Sequence, residues 1–296
     1  NYTEAKMKLS NVSALVDAAL LIALTFGGIL NWFHDLSSTT TSGTILSGLI
    51  FFGLIGLFIS LAQLPIDLYK TFVLEEKFGF NKMSLSLFFK DLMIGLAVSA
   101  IIGSIFIAGL LWVMETAGIN WWWYAWLLAM TFWFFIQYIS PTVLAPMFNK
   151  FSPLNNEKLK ERIEGLLKKC GFQSSGLFVM DGSRRSSHGN AYFTGFGKSK
   201  RIVFFDTLIN KHSPEEIEAV LAHELGHFKL KHVFKLTCFL VLVSLVFFAL
   251  LGTLQQSAFI HEALNLHAFG SPSLLLAAFY FGLPPFLFLF RPLFAA

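Results

Sequence analysis

At 296 residues the chain has room for one large domain or two smaller ones, and 55% of it is hydrophobic against 14% charged. A mean hydropathy of +0.64 excludes an ordinary soluble domain, where roughly 25% of residues are charged, and marks a mainly α, multi-pass membrane protein. The net charge of +4 does not point to nucleic acid, because the basic residues are spread over several loops rather than gathered in one patch.

The chain starts at Asn1 with no initiator methionine and no recognisable signal peptide, so a lost natural start is expected. Six apolar stretches are long enough to cross a bilayer: 12–32, 45–69, 92–114, 121–147, 236–254 and 272–290. Pro65, Pro141, Pro284 and Pro285 are expected to kink their helices. Gly95, Ser99 and Gly103 follow a small-xxx-small spacing that permits close helix approach. Trp121, Trp122 and Trp123 read as an interfacial anchor. Asp17, Asp67, Gln63 and Gln137 are polar groups within or at the ends of spans, suited either to interhelical hydrogen bonds or to a wet cavity. All 22 lysines and arginines fall on alternate connections, none of them in the loops around Asp35, Gly118 and Glu262. By the positive-inside rule the long polar stretch 150–232 is cytoplasmic. Cys170 and Cys238 read as free thiols.

That polar stretch has its own pattern. "NNEKLKERIEGLLKKCGF" predicts an amphipathic helix with Leu159, Ile163, Leu166 and Leu167 on one face. "GLFVM" predicts a strand ending at Asp181, and "NAYFTGFGKSKRIVFF" a hairpin with Gly195 and Gly197 in its turn. "HSPEEIEAVLAHELGHFK" predicts a helix capped by Ser213, with Pro214 in its first turn and Glu216 closing a capping box. Glu75, Glu76 and Lys77 read as a solvated face.

Within that helix, His223 and His227 are four residues apart, about 40° around the axis, so both imidazoles can aim at one ion. Glu224, one step round, can reach a water in the open position and act as general base. The bland alternative is a surface helix with two solvated histidines. The third ligand is not local: His232 and Glu218 lie about 140° away round the helix from His227 and His223 respectively. His261, Glu262 and His267 belong to a loop on the opposite side. His188 and Asp206 remain open on sidedness, and a ligand beyond Ala296 is the preferred expectation.

Several motifs are more specific than periodicity: "YKTFVLEEKFGFNK", "SPTVLAPMFNKFSPL", "SRRSSHGNAYFTGFGKSKRIVFFDTLI" and "AVLAHELGHFKLKH". On these, over nearly its whole length, the chain resembles the zinc-dependent (type I) CaaX prenyl protease family. The short link 209–215 looks more like bacterial members than eukaryotic ones. The resemblance implies seven transmembrane helices around a water-filled chamber and a small cytoplasmic α+β zincin-like domain. It also implies a third zinc ligand from a glutamate after the last span, and a histidine there that assists catalysis. Carried onto matching positions, His223 and His227 hold one Zn2+, Glu224 is the catalytic base, and Asn190, Ala191, Tyr192 and Phe193 bind the extended substrate.

The expected organisation is transmembrane helices over 1–147 with a cytoplasmic loop at 70–91, a metallopeptidase domain over 148–235, and two further membrane helices over 236–296. The expected function is a membrane-embedded zinc metalloendopeptidase at the cytoplasmic face. Its expected partners are a peptide or protein substrate, prenylated or membrane-bound, and the bilayer, in a bacterial inner membrane or, alternatively, the endoplasmic reticulum. The competing readings are a broad membrane-protein quality-control protease, and a transporter or scaffold with a vestigial metal site.

Overall fold

The structure, a computed structural model, describes residues 1–172, 174–195, 200–229, 232–255, 262, 267, 268 and 270–282; the side chains of residues 224, 227–229, 232, 233 and 254 lie outside that description. Gly197, His261, Pro284 and Pro285 also fall outside it. Internal contacts divide the chain into two compact units. One comprises Asn1–Lys70, Val98–Met130 and Val243–Ala296, the other Thr71–Ala97 and Thr131–Leu242.

The helices in chain order are α1 (Tyr2–Leu24), α2 (Ile29–Thr40), α3 (Thr44–Tyr69), α4 (Leu85–Thr116), α5 (Trp121–Ile139), α6 (Ala145–Phe148), α7 (Glu157–Lys169), α8 (Asp206–Lys211), α9 (Pro214–Lys229) and α10 (His232–Leu254). An apolar helix α11 covers Pro272–Gly282. Five helices among the described residues are long and apolar enough to cross a membrane, so the fold is multi-pass and mostly helical; the sixth apolar stretch, 272–290, is described only as far as Gly282.

The first span is displaced from its expected position. The helix begins at Tyr2 and stops at Leu24, where the prediction ran it through 12–32. Gly28 takes a left-handed φ of 74°, and the N–H of Gly27 reaches back to the carbonyl of Ile22 (2.9 Å). Such a turn ends a helix even where hydropathy continues. The apolar residues after it form the separate amphipathic helix α2, which turns Leu30 and Phe33 inward and leaves Trp32 exposed.

In the first unit α11 is wedged between two groups of helices. Leu274, Ala277, Ala278 and Phe281 pack with Leu30 and Phe33 of α2 and Phe51 and Ile55 of α3. Leu275 packs with Leu110 and Val113 of α4, Trp121 of α5 and Leu251 of α10. Inside a bilayer, leaving water does not drive such contacts; close packing does. Glycines supply it at Gly48 against Leu111, Gly109 against Leu128 and Gly252 against Trp122. Among the described residues a Cβ at Gly95 or Gly103 would meet nothing within 4 Å, so no close approach is seen there. Asp17 of α1 accepts a hydrogen bond from Gln63 of α3, so this pair of intramembrane polar groups is joined helix to helix.

One proline sits where a helix widens and another precedes such a widening. Pro65 lies inside α3, which ends in a π-helical turn, Lys70–Glu75, and Pro141 falls within a second one, Ser140–Leu144. A π turn relaxes the i→i−4 pattern that a proline nitrogen cannot satisfy.

The second unit carries a four-stranded sheet: β1 (Phe151–Pro153), β2 (Gly176–Met180), β3 (Ala191–Thr194) and β4 (Arg201–Phe205), in the order β1-β2-β4-β3. β1 is antiparallel to β2, β2 parallel to β4, and β4 antiparallel to β3 with Ala191 opposite Phe204. The hairpin and the "GLFVM" strand stand where the alternation places them, whereas β1 is too short to leave a periodic signal. Helices α7 and α9 cover one face of the sheet. Leu159, Ile163 and Leu167 of α7 pack with Ile217, Leu221 and Leu225 of α9 on Ala191, Ile202 and Phe204. Burying each leucine or isoleucine fully is worth at most about 1.5–3 kcal/mol here, where the reference state is water.

Candidate active site

The motif helix α9 starts as its sequence predicts. Glu216 N–H donates to Ser213 Oγ (3.3 Å), and Ser213 N–H donates back to Glu216 Oε2 (2.8 Å). The Ser213 amide holds the Glu216 carboxyl below its ordinary range, with His212, 3.3 Å away, adding to the effect. Helix α9 then runs unbroken to Lys229.

Its core-facing stripe is Ile217, Leu221 and Leu225, all nearly fully buried. At about 100° per residue, positions 223 and 227 fall roughly opposite that stripe, and position 224 falls beside it. His223 is accordingly exposed. Two imidazole-bearing positions one turn apart on the outward face of a rigid, capped helix suit a zinc ion in donor type and spacing. The side chains of Glu224 and His227 lie outside the described residues, so this fit rests on the helix backbone and the donor set. His232, excluded as a third ligand on helical phase, has its side chain outside the described residues.

The two upstream candidates for a third ligand are engaged elsewhere. Asp206 Oδ1 accepts the N–H groups of Ser183 (2.9 Å) and Thr207 (2.7 Å). His188 Nε2 lies 3.2 Å from Glu75 Oε2, and its ring stacks on Phe80 with centroids 4.3 Å apart. Glu75 is therefore no solvated residue, as its sequence context suggested; its side chain is only 17% exposed. Glu76 also has a partner, accepting from Asn81 Nδ2 (2.9 Å).

β3 lies at one edge of the sheet, and among the described residues no strand pairs with its outer side. Phe205 N–H donates to the Asn190 carbonyl (2.9 Å), which fixes the phase of the ladder. Residues 190, 192 and 194 turn their main-chain groups toward β4, and Ala191 and Phe193 turn theirs outward. Asn190 Oδ1 accepts the Ala191 N–H (2.8 Å). Tyr192 packs its ring edge-on to Phe205, 6.3 Å between centroids, and burial pushes its phenol up from 10.0.

Two ionic features had no local signal in the sequence. Arg162 of α7 forks onto Glu215 Oε1 (2.8 Å) and Glu218 Oε2 (2.8 Å) of α9, bracing the motif helix. Arg185 donates Nε and Nη2 to the two oxygens of Asp91 (2.7 and 2.9 Å). Its remaining contacts are Asn149 Oδ1 (2.8 Å) and the Phe148 carbonyl (2.6 Å). Both arginines sit among ordinary charged residues, and their carboxylate partners are 53 to 94 positions away.

Comparison with known proteins adds an independent line. Residues 1–150 match "CAAX prenyl protease N-terminal, five membrane helices", and residues 153–292 match "Peptidase family M48". "CAAX prenyl protease 1" of Saccharomyces cerevisiae is 41% identical over 219 residues, 72% of this chain and 48% of that protein. Its Arabidopsis thaliana homolog is 40% identical over 229 residues, 75% of this chain and 53% of that protein. The crystal structure of Ste24p from S. mikatae superposes with a TM-score of 0.87 at 32% identity, covering 97% of this chain and 71% of that one. The chain thus spans about half the length of the curated relatives it matches.

Proposed function

Since the chain belongs to the CAAX prenyl protease family of M48 peptidases, we propose that it contributes the zinc-binding helix and substrate strand of a membrane-embedded metalloendopeptidase acting on prenylated C-termini. The observation that carries this reading is α9 itself: a capped helix presenting positions 223 and 227 away from its packed stripe. His223 and His227 would hold one Zn2+, with the third ligand outside the described residues. When bound, zinc supplies Lewis acidity that lowers the pKa of a water and polarises a peptide carbonyl. Glu224 would be the general base, accepting a proton from the attacking water and returning it to the departing amine. β3 receives the substrate as an added strand, its backbone pairing with the outward amide and carbonyl groups of Ala191 and Phe193. Asn190 would release the Ala191 N–H to the guest, while Tyr192 anchors the strand against β4. The active face is cytoplasmic, in a bacterial inner membrane or in the endoplasmic reticulum.

The test is Glu224→Gln in the full-length protein, assayed on a farnesylated peptide ending in a CaaX sequence. Zinc content is expected to stay at the wild-type level while kcat falls at least ~100-fold, the usual share of a general base. Undiminished turnover would remove Glu224 from its role. A wild-type protein that binds no zinc and cleaves nothing would favour a scaffold instead.

A further inference from the structure

The segment that feeds β3 is held from two directions. On one side is the loop that follows the π turn of α3. Ser187 N–H donates to the Phe80 carbonyl (2.9 Å), Lys82 N–H donates to the Arg185 carbonyl (3.1 Å), and Asn81 bridges Ser186 in antiparallel fashion. On the other side, Thr207 Oγ1 and Lys211 Nζ donate to the carbonyls of His188 (2.8 Å) and Ser187 (2.6 Å). All of these bonds use the main chain of 185–188, so they fix its path whatever side chain stands at 188.

The imidazole of His188 adds something separate. It lies flat on Phe80 (25° between planes), and its Nε2 meets Glu75, the last residue of the π turn that ends a membrane span. Two residues further on, Asn190 opens the substrate strand, and its carbonyl begins the pairing with β4. We propose that Glu75 and His188 form a clasp that sets the substrate-binding edge of β3 in register, making His188 a positioning residue for the peptide. The proposal rests on the reading of β3 as the substrate strand. Loosening the clasp moves the pairing edge, whereas α9 is held independently by its cap, by Arg162 and by the core. Its cost therefore falls on substrate capture and not on the chemical step.

The experiment measures kcat and KM on the farnesylated CaaX peptide for Glu75→Ala, His188→Ala, the double variant, His188→Gln and His188→Asn. Zinc content and thermal unfolding are followed in parallel. Gln places a donor nitrogen where Nε2 stood; Asn does not reach. The expected result is a KM raised about tenfold in both alanine variants and in the double, with kcat within about twofold and zinc unchanged. His188→Gln returns KM to near wild type, and His188→Asn does not. Unchanged KM overturns the clasp, as does a fall in kcat and melting temperature alone. So do multiplicative effects in the double variant. A second substrate, methylated on the backbone nitrogens that would pair with β3, separates the two layers. If methylation leaves wild-type KM unchanged, the strand reading itself fails. If it raises KM while the His188 variants do not, only the clasp fails.

Discussion

Arg185 shows what a single side chain can hold together. Its side chain is 19% exposed and that of Asp91 18%, so the pair is mostly withdrawn from water and yet fully hydrogen-bonded. Truncating one member leaves the other charge half-solvated without its counterion, a situation that costs roughly 2–4 kcal/mol. Arg185→Met is therefore expected to lower the unfolding midpoint by several degrees in detergent. Arg185→Lys is expected to recover little of that loss, because an ammonium cannot reproduce the fork across both carboxylate oxygens. If the Met variant melts like wild type, the pair is ornamental. None of this is visible in "SRRSSH", where two adjacent arginines look alike; Arg184 merely meets Asp181, three residues back. The histidine pair could be proposed from the sequence because its two members are four residues apart on one helix. Glu75 with His188 was not, because only the folded chain brings residues 113 positions apart together.

At the level of elements, legibility followed locality. The cap of α9, the amphipathic face of α7 and the β3–β4 hairpin are all written within a few residues, and each stands as its pattern implies. The first span was misplaced because a run of apolar residues does not reveal one left-handed glycine. Strand β1 was missed because three residues carry no period. The capping box also makes a pH prediction. Glu216 is held below its ordinary value of 4.5 by the Ser213 amide and then by His212. A carboxyl lowered in the folded state contributes stability that is complete above its unfolded pKa and disappears as pH falls through the folded one. The melting-temperature gap between wild type and Glu216→Gln is thus expected to be constant near neutrality and to close below pH 4.5. A gap that persists undiminished at lower pH would mean that the charge on Glu216 plays no part.

Across the whole molecule two solvents impose two kinds of cohesion. The sheet with α7 and α9 is a water-facing domain whose core gains by leaving water. The spanning helices must instead interlock, and the glycines distinguish where they do. A Cβ at Gly252 would stand 2.6 Å from Trp122 Cδ1 and 2.8 Å from its Cβ, whereas one at Gly95 would meet nothing within 4 Å among the described residues. Gly252→Ala is expected to destabilise by about 1–3 kcal/mol through overpacking, and Gly95→Ala to be neutral or slightly stabilising as a better helix former. Equal effects in a thermal-unfolding comparison would contradict the packing described. The open flank of β3 carries a different kind of consequence. A guest registered there by its peptide groups is scarcely asked what its side chains are, since every L-residue offers the same amide and carbonyl at the same interval. If β3 is the substrate strand as proposed, selection among clients would fall to delivery: the tail slack enough to extend and tethered closely enough to arrive would be the one cut, its spelling mattering less than its address.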